Sequence, residues 1–237
     1  MYAGYKYFMI YNDVTNLDVF TQIVARPSKH CADKLYDEIK IPFGKTLYID
    51  RGFSDVQIIM DMNFMSSNAE LWDDHWREIK RWLLGKGNQK LKFSDDLRGY
   101  YKVNKVSIPT SLRQLKRTGT FTVVFTCDPY FYIEDEEVEI VSGEPIYNDF
   151  DLDSRPIYRI VGDGELTLKV NGKTIKVNVG QETTINCDLG LCYRDGVINN
   201  SSLTGNYEDL YLKANSDNTF EWTDEFKVYI QPMWRCL

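Results

Sequence analysis

Apolar side chains recur at every second position through much of this chain, and at helical spacing in only one stretch. In residues 119–127, Phe121, Val123 and Phe125 fall on one face of a strand, while Thr120, Thr122, Val124 and Thr126 fall on the other. Residues 56–64 repeat the pattern with Ile58, Met60, Met62 and Phe64. Strand-like β-branched and aromatic content also marks 5–11, 19–25 and 46–50. Gly52, at the centre of IDRGFSD, reads as a hairpin turn between 46–50 and 56–64. Pro109 and Pro129 are expected to end the strands they follow, because proline has no N–H to donate to a ladder.

Residues 67–84 carry the helical pattern. Ser67 and Glu70 have capping-box spacing. Leu71, Trp72, Trp76, Ile79, Trp82, Leu83 and Leu84 form a stripe of 3.6-residue period, and Gly85 supplies the stop. That spacing predicts a helix packed across a sheet, with its tryptophans in a core rather than on a ligand platform and His75 packed beside Trp72 and Trp76. The preceding stretch, about 31–55, is polar and interrupted by Pro42 and Gly44. It is expected to project from the body as an arm.

Past residue 133 short strands recur at close spacing: IYRIVG, ELTLKVNG, KTIKVNV, ETTINCD, LCYRDG and FKVYIQP. Asp163-Gly164, Asn171-Gly172 and Asp195-Gly196 read as turns between them, and LTLKV-NG-KTIKV is a clear hairpin. The expected fold class is therefore mainly β. An α+β N-terminal domain over 1–133 would set one helix against a β-barrel or sandwich. An acidic linker over 134–153 would lead to an all-β sandwich over 154–237.

Composition sharpens the division. With 43% hydrophobic residues the chain can build real cores. Its net charge of −7 is split unevenly: residues 1–133 carry a net +4 and residues 134–237 a net −11. Glu134, Asp135, Glu136 and Glu137 open the acidic part. Neither half has the dense basic run of a nucleic-acid groove, no stretch approaches a membrane span, and the first residues do not read as a signal peptide. Five scattered cysteines (Cys31, Cys127, Cys187, Cys192, Cys236) fit reduced thiols of a protein made in a reducing cytoplasm, although a Cys187–Cys192 disulfide is conceivable.

Catalytic chemistry finds little support. His30 and His75 are the two histidines, and His30 adjoins Cys31, but neighbours along a strand face opposite ways. Cys187 and Cys192 lack the second ligand pair that zinc requires. Asp149, Asp151 and Asp153 alternate as in a calcium loop, but Ser154 stands where that loop needs glycine and Ile160 where it needs glutamate. The segment 162–166 has no helix to cradle a phosphate. No catalytic, cofactor-binding or metal-ligating residue is expected, and the chain is read as a non-enzyme.

The order of several short motifs resembles the distal tail protein (Dit) family of siphophages and related prophages, across essentially the whole chain. These are Ala25-Arg26-Pro27 after an early strand pair, then the arm, then Trp82-Leu83 before Gly85. Tyr100-Tyr101-Lys102-Val103 and Phe125-Thr126-Cys127-Asp128-Pro129-Tyr130 follow. The last part enters through Ser154-Arg155-Pro156-Ile157 and ends on Met233-Trp234-Arg235, as in the family's galectin-like sandwich. One departure is clear: where members carry a Pro-Gly-Glu-Asn turn, this chain reads KANSDN over 213–218.

The resemblance implies a structural hub of the distal tail tip or baseplate, in the virion, with six copies in a ring. Its partners would be the major tail or tube protein, a tail-associated tip protein, and receptor-binding or baseplate proteins; no sequence-specific nucleic acid and no membrane insertion are implied. Ile39, Ile41, Phe43, Leu47 and Tyr48 on the arm are the candidate ring interface, since a closed ring of identical subunits needs a heterologous contact. A rival reading is a carbohydrate-binding adhesin for host cell-wall sugars, with Tyr193, Tyr207, Tyr211 and Trp222 as candidate sugar or partner contacts.

Overall fold

The computed structural model describes residues 7–222 and 225–237. The chain divides into two compact units, one ending at Phe131 and rejoined by Leu237, the other running Tyr132–Cys236. The first contains β1 (Met9–Tyr11), β2 (Val14–Thr15), β3 (Thr21–Ile23), β4 (Ser28–Lys29), β5 (Lys34–Ile41), β6 (Lys45–Phe53) and β7 (Val56–Met65). After α1 (Trp72–Leu84) come β8 (Lys90–Phe93), β9 (Asp96–Arg113) and β10 (Thr118–Ile133). The expected strand at 5–11 is seen from Met9; residues 5 and 6 lie outside the described part.

The main sheet of this unit runs β2-β1-β8-β9-β10-β7-β3, with β4 also paired to β7. Its centre is the ladder from Thr118↔Met65 to Cys127↔Val56. Alternation along β7 and β10 sends Ile58, Met60, Met62, Phe64, Phe121, Val123, Phe125 and Cys127 into one core. Helix α1 closes that core with Trp72, Ile79, Trp82 and Leu83, while Leu71 and Leu84 of the expected stripe are exposed. Trp82 Nε1 donates to Tyr11 O at 2.9 Å, which satisfies the indole inside the core. His75 is packed as expected: its Nε2 lies 2.9 Å from Val19 O, and its ring meets Phe64 edge-on.

Several local expectations are corrected. No capping box forms: α1 begins at Trp72 behind Leu71, with no side-chain cap. Neither proline ends its strand. β8 pairs with β9 only as far as Lys102, so that edge of β9 is open by Pro109. Likewise the β7 ladder stops at Cys127, one step before Asp128-Pro129, and β10 continues to Ile133. A residue without an N–H is tolerated where an edge has no partner. The turn expected at Gly52 lies instead at Pro42-Phe43-Gly44, where Phe43 (φ 76°) and Gly44 (φ 83°) are left-handed. Gly52 sits inside β6, next to the register shift at Leu35/Tyr36.

The second unit contains β11 (Val138–Ile140), β12 (Ile146–Asn148), β13 (Ile157–Val170), β14 (Lys173–Asn186), β15 (Leu191–Arg194) and β16 (Val197–Ile198). β17 (Leu203–Thr204), β18 (Ser216–Asn218), β19 (Phe220–Glu221), β20 (Lys227–Gln231) and β21 (Arg235–Cys236) follow, with 3-10 turns at Asn200–Ser202 and Tyr207–Leu210. One sheet runs β11-β20-β13-β14-β15-β16, with β17 on β14 and β19 on β13; β12 and β18 form a separate pair. Tyr132 and Ile133, the last residues of β10, belong to this unit, and Ile133 N–H donates to Trp234 O at 2.9 Å. The inner positions of β13 and β14 (Tyr158, Ile160, Leu166, Leu168, Val170, Ile175, Val177, Val179) fill a second core.

The β13–β14 hairpin turns at Asn171 (φ 51°) and Gly172 (φ 77°), the doubly left-handed turn its Asn-Gly pair favours. Asp163-Gly164 is not a turn: both residues stay in β13, paired with Gly180 and Val179. The glycine that matters there is Gly162, where a Cβ would lie 2.3 Å from the Phe226 ring. Nor are residues 134–153 a bare linker. β11 pairs with β20, Ile140 is buried in the second core, and Glu137 forks onto Arg159 at 2.6–3.0 Å. All five cysteines are free thiols, so no Cys187–Cys192 bridge forms.

Candidate assembly surfaces

The arm is a β-hairpin, and its origin explains its direction. β4 pairs with β7 at Lys29↔Ile58, His30 N–H donates to Gln57 O, and Asp33 and Ser54 exchange hydrogen bonds. Lys34↔Phe53 then opens the β5–β6 ladder. The hairpin therefore prolongs the β4–β7 ribbon past the Val56 end of the sheet. Among the described residues β5 and β6 pair only with each other. Eight paired residues per strand give it a reach of roughly 25 Å.

Register sorts its side chains onto two faces. The pairs Ile39↔Leu47, Ile41↔Lys45 and Asp37↔Ile49 put Ile39, Ile41, Leu47 and Ile49 on one face, with Leu35 in line along β5. Each of these five aliphatic side chains is 39–48% exposed. The other face carries Tyr36 and Tyr48, their rings edge-on at 6.0 Å, with Lys34 over Tyr36 and paired to Asp50 at 2.9 Å. The hydrogen bond from Lys34, together with that from Gly52 N–H, holds the Asp50 carboxyl below its ordinary range. Arg51 pairs with Asp37.

Of the five expected interface residues, Ile39, Ile41 and Leu47 stand together, Tyr48 lies on the opposite face, and Phe43 caps the tip fully exposed. Leu35 and Ile49 complete the aliphatic face; their period-two spacing was the signal that would have found them. Isolated two-stranded hairpins are marginal, and a contiguous exposed aliphatic face marks an interaction surface.

A second exposed apolar surface lies at the other end of the same strands. Where β7 and β10 meet at Met65↔Thr118, Leu17, Phe20, Met65 and Leu115 rim a trough with Asn63 and Thr120 on its floor. Phe20 is 72%, Met65 61% and Leu115 70% exposed. Phe20 has a left-handed backbone (φ 53°). It is set there by buried Asn16, which accepts from Met9 N–H, donates to Thr21 O, and offers its carbonyl to Thr21 N–H and Oγ1. Beside the trough, exposed Val24 and Leu112 flank a hollow over Asp61 and Thr122. Nothing in the local sequence pattern marked Phe20, Met65 or Leu115.

In the second unit Tyr207 and Tyr211 line a shallow hollow with Asp188, Asn206 and Glu208. Tyr207 donates to Asn200 Oδ1 at 3.3 Å, Arg155 covers the Tyr211 ring at 5.4 Å, and burial raises both phenols. Tyr193 and Trp222 are not part of that hollow. Tyr193 pairs with Thr184 and Ile198 in the sheet, and Trp222 packs on the core with its Nε1 donating to Phe226 O at 2.9 Å. Among the described residues, no group of three or more His, Cys, Asp and Glu could hold a metal ion.

Residues 35–129 match the family described as phage tail protein N-terminal domain, a span that includes most of the hairpin and the central β7–β10 ladder. No curated protein sequence matches the chain significantly. The fold is that of the crystal structure of SPP1 Dit (gp 19.1), described as a paradigm of the hub adsorption apparatus in phages infecting Gram-positive bacteria. That likeness has a TM-score of 0.69 at 14% identity and covers 98% of this chain and 99% of that one. The phage P2 baseplate in its activated conformation with calcium matches at TM-score 0.53 and 10% identity, covering 95% and 97%. Its strontium form matches at 0.51 with the same identity and coverage.

Proposed function

We propose that this chain is a structural subunit of a phage tail tip, a non-enzymatic hub of the distal tail or baseplate. Six copies would form a ring joining the tail tube to the tip protein and the receptor-binding apparatus used in adsorption and DNA delivery. The observation that carries this reading is the end-to-end likeness to the SPP1 hub protein, which takes in both units. The projecting hairpin supports it, since it offers the kind of unpartnered surface that a heterologous ring contact requires. On this reading the unit that ends at Phe131 is the ring-forming domain and the unit Tyr132–Cys236 the peripheral one.

Light scattering and negative-stain imaging of the purified protein test it. A ring with a central hole is expected, and deletion of residues 37–50 is expected to reduce the mass to that of the monomer. An unchanged oligomer after the deletion would sink the clasp.

The hollow that joins Tyr207 and Tyr211 to Asp188, Asn206 and Glu208 favours one second reading, a sugar-binding adhesin, because an aromatic pair beside carboxylate and amide groups is how sugars are held. Binding of the whole protein to a cell-wall glycan on an array, abolished by Tyr207→Ala, would favour it. Silence across the array removes it.

A further inference from the structure

A ring built by a heterologous contact needs two different surfaces on each copy, placed so that one copy's donor meets the next copy's acceptor. The hairpin is a donor at the Val56 end of β7, and the Phe20–Leu115 trough lies at the Met65 end, roughly 30 Å away along the strand. A copy's hairpin points away from its own trough. We propose that the trough receives the aliphatic face of the hairpin of a second copy of this chain. The proposal rests on the ring reading above and names the surface that the ring would use.

Size and charge fit. The five aliphatic side chains and Phe43 expose on the order of 600 Å², most of the roughly 800 Å² per partner that a stable interface buries. The trough answers with Phe20, Met65 and Leu115, all more than 60% exposed. Lys45 stands on the aliphatic face at the tip, and the carboxylate of Asp61, bound by Thr122 Oγ1 at 2.6 Å, lies on the adjoining floor.

Two full-length variants test the match. Ile39→Asp with Leu47→Asp disables the hairpin face, and Met65→Asp with Leu115→Asp disables the trough. All four positions are exposed, so each variant keeps its core, which thermal unfolding checks. The expected result is that each variant alone is monomeric, with association weakened on the order of a hundredfold or more. Their equimolar mixture forms a 1:1 dimer and nothing larger, because one intact hairpin meets one intact trough. If the trough variant still forms rings, the trough assignment falls and the ring reading stands. A mixture that stays monomeric overturns the pairing. If the unmodified protein never leaves the monomer at high concentration, the ring reading falls and takes the trough with it.

Discussion

Asn218 is the buried junction of the second unit, and replacing its amide by the isosteric carboxylate isolates what the amide does. Its side chain is fully buried; Oδ1 accepts from Lys213 N–H and Asn171 Nδ2, both at 2.7 Å. Nδ2 points at three carbonyls, those of Ile146, Lys213 and Ser216, at 3.1–3.4 Å. Asn218→Asp keeps the acceptor and aims a second oxygen at three carbonyl oxygens. The two N–H groups shared among those carbonyls are lost at about 1 kcal/mol each, and with a buried charge added this predicts about 3–4 kcal/mol of destabilisation at pH 7. Repulsion raises the folded-state pKa of the new carboxyl above its unfolded value. The charge penalty is therefore absent below about pH 4, where the acid is protonated in both states, and grows as pH rises. Asn218→Ala should cost a similar amount at every pH. Urea unfolding followed by hydrogen exchange reads this locally: peptides of residues 140–221 lose protection while those of β7 and β10 do not. A pH-independent loss in Asn218→Asp, or none, would refute the reasoning.

Gly119→Ala sets a Cβ 2.4 Å from Phe64 Cε1 and 3.1 Å from Trp72 Cζ2, so the Phe64 ring must shift in the core under the helix. A loss of about 1–3 kcal/mol in denaturant unfolding is expected. Burial raises the Cys127 thiol to about 12 and pushes Cys187 higher still, so at pH 8 a thiol reagent should label exposed Cys31 quickly and spare those two until the protein unfolds. At Asp153 burial would raise the carboxyl. Hydrogen bonds from Lys213 and Ala214 N–H, with the charges of Lys213 and Arg235, outweigh it and hold the group below its ordinary value. Its stabilising contribution is present above about pH 4 and lost as pH falls through the lowered value. Asp153→Asn should therefore flatten the acid limb of a stability–pH curve.

What the sequence disclosed was what local spacing controls. The alternation in β7 and β10, the stripe of α1 and the Asn171-Gly172 turn each follow from a period or a dipeptide. What it hid depends on partners far along the chain. Pro109 and Pro129 look like strand stops until one sees that the neighbouring strand has already ended. Gly52 and Asp163-Gly164 look like turns, but long antiparallel partners carry the ladder through them. The hairpin's aliphatic face was half visible, because the register that separates Tyr48 from Leu47 is not written in either strand alone. The trough was invisible, since Phe20, Met65 and Leu115 come together only through the sheet.

Because the hairpin is one ribbon with β4 and β7, a pull on its tip runs along the axis of β7. That strand is held by ten consecutive residue pairs to β10 on one side and by β3 and β4 on the other. Tension along a strand loads its ladder in shear, so these pairs resist together rather than opening one after another. The arm would thus behave as a tie rod anchored in the middle of the sheet, suited to carrying a load at its tip without tearing out of its own fold.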